Sequence, residues 1–238
     1  MEKTAFIDLN SSNSGDIYVF TNSRGKYELE RTIEYPGNNS SPEPDVTGVG
    51  EFLLSLPAEL LNFRLLKLPF SDKDKLLKVV PFELESLMME SPGDVVFDAT
   101  VLGGAGEQFD VLVTYIGKSV LQDILNKLGL LLIDPRIVTC LELRAVMKGG
   151  AEDIASRLLA PGKMGREQRI ETAKSELLNE TVNLRTGTLA YTKDTEKNTR
   201  KLKTAAVLLL LLVLLVDSWL AFRIIKARNE TSAVKKEL

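Results

Sequence analysis

Residues 204–222 read TAAVLLLLLVLLVDSWLAF, nineteen positions with a single charge, Asp217. At 1.5 Å per residue a helix of that length covers about 29 Å, close to the ~30 Å hydrocarbon thickness of a bilayer. Residues 208–213 are apolar on every helical face, whereas a helix packed on a globular surface keeps a polar side. The stretch is expected to be a membrane-spanning helix that starts at Thr204, runs through Leu210 and Val216, and ends at Phe222. Trp219 then sits at the interfacial depth that aromatic rings favour, with Arg223 and Lys226 at the head groups. Asp217 falls in the outer third, where snorkelling to interfacial water and pairing with a neighbouring helix are both open to it.

On either side of the span the charge count is a tie. Lys193, Lys197, Arg200, Lys201 and Lys203 precede it, and Arg223, Lys226, Arg228, Lys235 and Lys236 follow, so the positive-inside rule gives no orientation. Residues 1–9 contain Glu2, Lys3 and Asp8 and lack the apolar core of a signal peptide, so the preceding part is expected to stay in the cytoplasm. The expected topology is N-terminus inside, one crossing of a bacterial inner membrane, and a short helical tail, 223–238, in the periplasm. An inverted orientation and a eukaryotic tail anchor are the alternatives. The basic run 193–203 is a juxtamembrane linker suited to anionic lipid.

With 26% charged residues, 44% hydrophobic residues and a net charge of −3, the chain offers no broad basic surface, and nucleic acid is not expected as a partner. The single cysteine excludes an internal disulfide, and the lack of histidine removes most zinc sites and every Ser-His or Cys-His nucleophile. No metal is expected. Cys140, in the apolar run Ile137-Val138-Thr139-Cys140, reads as a small core residue.

The first 150 residues alternate between strand and helix signals. Strands are expected over 4–9, 16–20 and 27–35, followed by a Pro/Gly/Asn/Ser-rich loop over 36–50. A strand over 62–68 is followed by a helix with Ser71 or Asp72 as N-cap and Leu76, Leu77, Val80, Leu84, Leu87 and Met88 on one face, which Pro81 should kink or divide. Strands 94–102 and 108–116 flank Gly103-Gly104-Ala105-Gly106-Glu107. That glycine run joins two strands, opens no helix and lacks a following Lys-Ser/Thr, so it reads as a hairpin and not as a phosphate loop. Next come a helix over 118–129 stopped by Gly129, a short buried strand over 130–133, and a helix from Asp134-Pro135 to about Met147. Helices are expected over 151–159 and 166–179, the latter with Ile170, Ala173, Leu177 and Leu178 on one side.

Two motifs, in order, support a family resemblance. Residues 65–87, centred on Pro81-Phe82-Glu83-Leu84-Glu85, and the run Asn183-Leu184-Arg185-Thr186-Gly187-Thr188-Leu189-Ala190-Tyr191 just ahead of a single crossing resemble the L component of the type II secretion system, GspL. The resemblance covers about 1–147 and 181–228. It implies an α/β cytoplasmic domain with part of the actin-like ATPase-superfamily fold, related to the pilus-assembly protein PilM, that no longer acts as an ATPase and needs no cofactor. It also implies partners: the secretion ATPase GspE on the cytoplasmic side, the M component GspM through the membrane, inner-membrane lipid, and a second copy in a homodimer.

The expected organisation is an actin-like lobe over 1–147, a shortened and mainly helical remnant of the second lobe over 148–192, the linker, the span and the tail. In nucleotide-binding relatives the first strand turn presents Asp-x-Gly-Ser/Thr to phosphate, glycine letting the backbone amides approach the anion. The corresponding residues here are Asp8, Asn10 and Ser11, with asparagine in the glycine position, and a strand-end Asx turn is the expected structure. Against the family pattern, a second lobe replaced by about 35 residues and a chain without the family's periplasmic domain are expected. The function implied is a scaffold that recruits the secretion ATPase to the inner membrane and links it to the M component and the pseudopilus. Phe82, Glu83, Glu85 and Glu90 are the candidate docking residues, with the edge of the strand pair 94–116 as the alternative surface. The alternatives are a PilM/PilN-like anchor for type IV pilus assembly and a membrane-anchored nucleotide-binding enzyme.

Overall fold

The structure is a computed structural model that describes residues 2–11, 14–35, 44–85, 91–105, 108–147, 154, 157 and 164–193. The proposed span, with Thr204, Leu210, Val216, Asp217, Trp219 and Phe222, lies outside the described residues, as does Glu90. Among the described residues no helix is long and apolar enough to cross a membrane. The chain divides into two units, Met1–Tyr191 and Thr192–Leu238, and the first holds all the elements below.

The chain opens as a meander of three antiparallel strands, β1 (Glu2–Ser11), β2 (Ser14–Ser23) and β3 (Lys26–Tyr35). β4 (Val49–Ser55) then adds to the other side of β1 in parallel, and the short β8 (Ile137–Thr139) adds in parallel to β4, giving the order β3-β2-β1-β4-β8. Alternation explains why β1 can occupy the middle. Ala5, Ile7 and Leu9 enter one core and Phe6 the other, so the strand is buried on both faces. The second sheet is antiparallel, with order β5-β7-β6, from β5 (Asn62–Leu68), β6 (Val95–Ala105) and β7 (Gln108–Gly117). The β6–β7 ladder closes with Ala105 opposite Gln108, as the hairpin reading of the glycine run requires.

Helix α1 (Lys73–Glu85) covers the second sheet with Leu76, Val80 and Leu84. Pro81 does not divide it: the helix continues one turn beyond the proline, held by burial of Leu84 on the sheet. Helix α2 (Lys118–Leu130) turns Leu121, Ile124 and Leu128 into the largest core, the one shared by both sheets. The residues after it do not form the expected strand. α2 runs through Gly129 to Leu130, a turn follows, and the strand pairing belongs to Ile137–Thr139, with α3 (Leu141–Met147) starting seven residues later than Asp134. The cause is the helix stop, which falls at Leu132 (φ 57°) and not at Gly129.

Helix α4 (Arg166–Leu178) covers the Phe6, Tyr18 and Phe20 face of the first sheet with Ala173, Ile170 and Leu177. Leu178, expected on that face, is exposed because the buried stripe instead takes Thr172 and Glu176. Beyond α4 the chain is extended, and Val182, Leu184 and Leu189 enter the largest core.

Candidate functional site

Asp8 lies near the end of β1 and faces Asp16 across the β1–β2 ladder. Two acids opposite each other on one face of a hairpin repel. Both find a cation on α4, which crosses that face. Arg169 Nε donates to Asp8 Oδ2 at 2.7 Å and Nη2 to Oδ1 at 3.3 Å, a two-pronged pairing, while Arg166 Nη2 stands 3.8 Å from Asp16 Oδ1. The opposite edge of the Arg169 guanidinium serves Glu142, at the start of α3, with Nη1 and Nη2 each 2.7 Å from Oε1. The Tyr18 hydroxyl donates to Asp8 Oδ2 at 3.4 Å, and the Cys140 thiol to Glu142 Oε2 at 3.5 Å.

The cluster is nearly dry, with side-chain exposures of 1% for Asp8, 12% for Arg169 and 10% for Glu142. Burial pushes the Asp8 carboxyl up to about 6. Arg169 pulls it back only in part, and Glu142 and Asp16 add to the rise. Burial works against the Arg169 charge as well, but Asp8 and Glu142 outweigh it and hold the guanidinium above its ordinary value. Burial sets the direction for Asp8, and the two paired carboxylates set it for Arg169. Burial also raises the Tyr18 hydroxyl and, with Glu142 adding to it, the Cys140 thiol, so Cys140 sits in the core as a protonated thiol.

The expected Asx turn is not what occupies Asp8: its carboxylate turns onto Arg169 and Tyr18, away from its own strand end. Asn10 is exposed in the last part of β1, and Ser11 pairs with Ser14 where the register shifts between Leu9 and Ser11. The glycine of this turn is Gly15, on the returning strand, where an added Cβ would collide with the Asp8 carbonyl oxygen. On α1, Phe82 is 74% exposed and Glu83 and Glu85 are exposed. They lie on the helix of the second sheet, and the structure does not bring them to the Asp8 cluster.

No protein-family model matches the chain, and no curated protein matches it. Among solved structures, the chain is similar in fold to the cytoplasmic domain of EpsL, an inner membrane component of the type II secretion system of Vibrio cholerae, at 17% identity and a TM-score of 0.41, over 60% of this chain and 58% of that one. It is similar also to a PilM-PilN type IV pilus biogenesis complex, at 13% identity and a TM-score of 0.49, over 62% of this chain and 50% of that one. The chain thus spans 58% of the first and half of the second. The fold itself is mixed α/β.

A second set of buried polar groups fastens the segment after α4. The Glu176 carboxylate accepts from the Thr139 hydroxyl at 3.1 Å, from the Thr181 amide at 3.0 Å and from the Thr181 hydroxyl, with Arg144 Nη1 3.5 Å away. Burial raises its pKa against these partners. Asp98 accepts from the Asn183 amide at 2.8 Å and pairs with Lys73 at 3.1 Å. The Leu184 amide donates to the Val138 carbonyl, and the Asn183 side-chain oxygen accepts from the Val138 amide at 3.3 Å, so a side chain and a backbone amide together cover the outer edge of β8. The sequence names none of these partners.

Proposed function

We propose that this chain is a non-enzymatic scaffold anchored in the bacterial inner membrane, which recruits a secretion ATPase to the membrane and links it to the M component of a type II secretion system. Its N-terminal unit lies in the cytoplasm, and a second copy pairs through the membrane-proximal part. The observation that carries the non-enzymatic half is the engagement of Asp8 by Arg169. In an actin-like phosphate turn the acid would face a metal-bound nucleotide. Here both of its oxygens meet a guanidinium from the chain itself, four of whose five N–H donors are spent on Asp8 and Glu142. With asparagine also in the glycine position, these residues do not fit a magnesium nucleotide.

The recruiting half is supported by the sequence resemblance over 65–87 and 183–191 and by the surface α1 offers, where the exposed Phe82 is flanked by two exposed acids. An aromatic anchor ringed by charge suits a docking site on a basic partner. Reversing the charge at both Glu83→Lys and Glu85→Lys is expected to weaken capture of the secretion ATPase about tenfold or more, read as co-purified ATPase per chain. Unchanged capture would remove α1 from the interface. A pilus-assembly anchor shares this fold and topology, and selective capture of a pilus ATPase in the same experiment would favour it.

A further inference from the structure

The end of α2 holds two leucines out in solvent. The Ile133 amide donates to the Leu128 carbonyl at 3.0 Å and the Leu132 amide to the Gly129 carbonyl at 3.0 Å, the paired bonds of a Schellman stop. Such a stop needs one residue in the left-handed region, a place glycine takes without strain. Here that residue is Leu132 (φ 57°), although a glycine stands three positions earlier. Leu131 packs against the core and Ile133 is buried, but Leu130 is 84% and Leu132 90% exposed, more than any other large apolar side chain among the described residues. The packing of the unit explains neither leucine, and backbone strain argues against the second.

The position of this tip indicates what it meets. Asp134, two residues on, accepts from Arg185 Nη1 at 3.1 Å, and the Arg185 guanidinium stands 5.6 Å from the centre of the Tyr191 ring. Tyr191 is the last residue of the N-terminal unit. The residue at which the chain leaves that unit is thus linked, through Arg185 and Asp134, to the segment that carries the leucine tip. Only twelve residues, 192–203, separate Tyr191 from the apolar stretch; fully extended they reach about 40 Å. Five of them are basic.

We propose that Leu130 and Leu132 form a membrane-docking tip that inserts into the interfacial layer of the bilayer anchoring this chain, whose anionic head groups the basic residues of 193–203 would attract. The tip rests on the membrane-anchored reading of the chain. A protein groove would instead read apolar residues spaced along a helix face, and on α2 that stripe, Leu121, Ile124 and Leu128, is already turned into the core.

The chain has one tryptophan, Trp219, inside the apolar stretch, which allows the two claims to be read separately. The full chain is reconstituted into vesicles of mixed zwitterionic and anionic lipid with brominated acyl chains. Three variants lacking the native ring are compared with wild type: Trp219→Phe combined with Leu132→Trp, with Leu130→Trp, or with Phe82→Trp on the exposed face of α1. The tip tryptophans are expected to be quenched and blue-shifted, and the one at position 82 neither. Unquenched emission from both tip positions, or equal quenching at all three, would overturn the proposal. Wild-type quenching tests the span alone: quenched Trp219 with a silent tip defeats only the docking tip. Silent Trp219 defeats the anchor, and a quenched tip would then still uphold lipid docking.

Discussion

Arg169 decides the chemistry of the N-terminal unit, because it is the cation that makes burial of Asp8 and Glu142 tolerable. Removing one partner from a buried charge cluster typically costs about 3–5 kcal/mol. Arg169→Ala is expected to lose stability on that scale at pH 8 and to recover part of it at pH 5, where Asp8 can take up a proton, as read from urea midpoints of the full chain in detergent. Asp8 adds a pH dependence of its own. Its folded pKa of about 6 lies above the ordinary 3.8, so the folded state holds the extra proton between those values. The stability this contributes is fully present below about pH 4 and lost as pH rises through 6. Over that window the stability of wild type relative to Asp8→Asn should fall by about 3 kcal/mol, and a flat difference would contradict the burial of a titrating Asp8. In the sequence, the resemblance singles out Asp8 and Asn10, with asparagine in the place of a phosphate-turn glycine, but Arg169 does not stand out. A signal exists: Arg169 and Glu176 sit four before and three after Ala173, so two charges lie on the stripe that buries Ala173. Charges at such positions mark buried pairing, although the spacing does not name Asp8 and Glu142 as partners, which come from elements 161 and 27 residues away.

At the scale of elements, strands that alternate and helices that carry one apolar stripe were legible. β5 (Asn62–Leu68) and the β6–β7 hairpin stand where period-two patterns and the glycine run put them. The stretch 129–141 was not legible, for a local physical reason. The helix stop that composition assigns to Gly129 is made by Leu132, and the residues after it pair as a strand only because β4 offers a parallel edge, a tertiary fact with no local signature. Leu132→Gly relieves the left-handed strain and should raise stability by about 1 kcal/mol, measured as a rise in the urea midpoint. No gain, or a loss, would mean that the leucine side chain contributes to the fold in a way its exposure hides. A variant that is more stable and yet docks less well on lipid would separate the strain at position 132 from its use.

For the whole molecule, the compact unit reaches to Tyr191. The described residues after α3 pack onto it: α4 closes one face of the first sheet, and Val182, Leu184 and Leu189 complete the core on the other. The segment 182–191, which leads toward the proposed span, is thereby packed into the same unit as α1, the helix proposed for docking. The most direct test is to purify the full chain in detergent with the secretion ATPase encoded beside it and to measure both the ATPase retained and the nucleotide bound to the chain alone. A scaffold of this kind should yield a stable complex, with a chain free of nucleotide and unresponsive to magnesium-ATP. Tight magnesium-dependent ATP binding by the chain, with no ATPase retained, would contradict it.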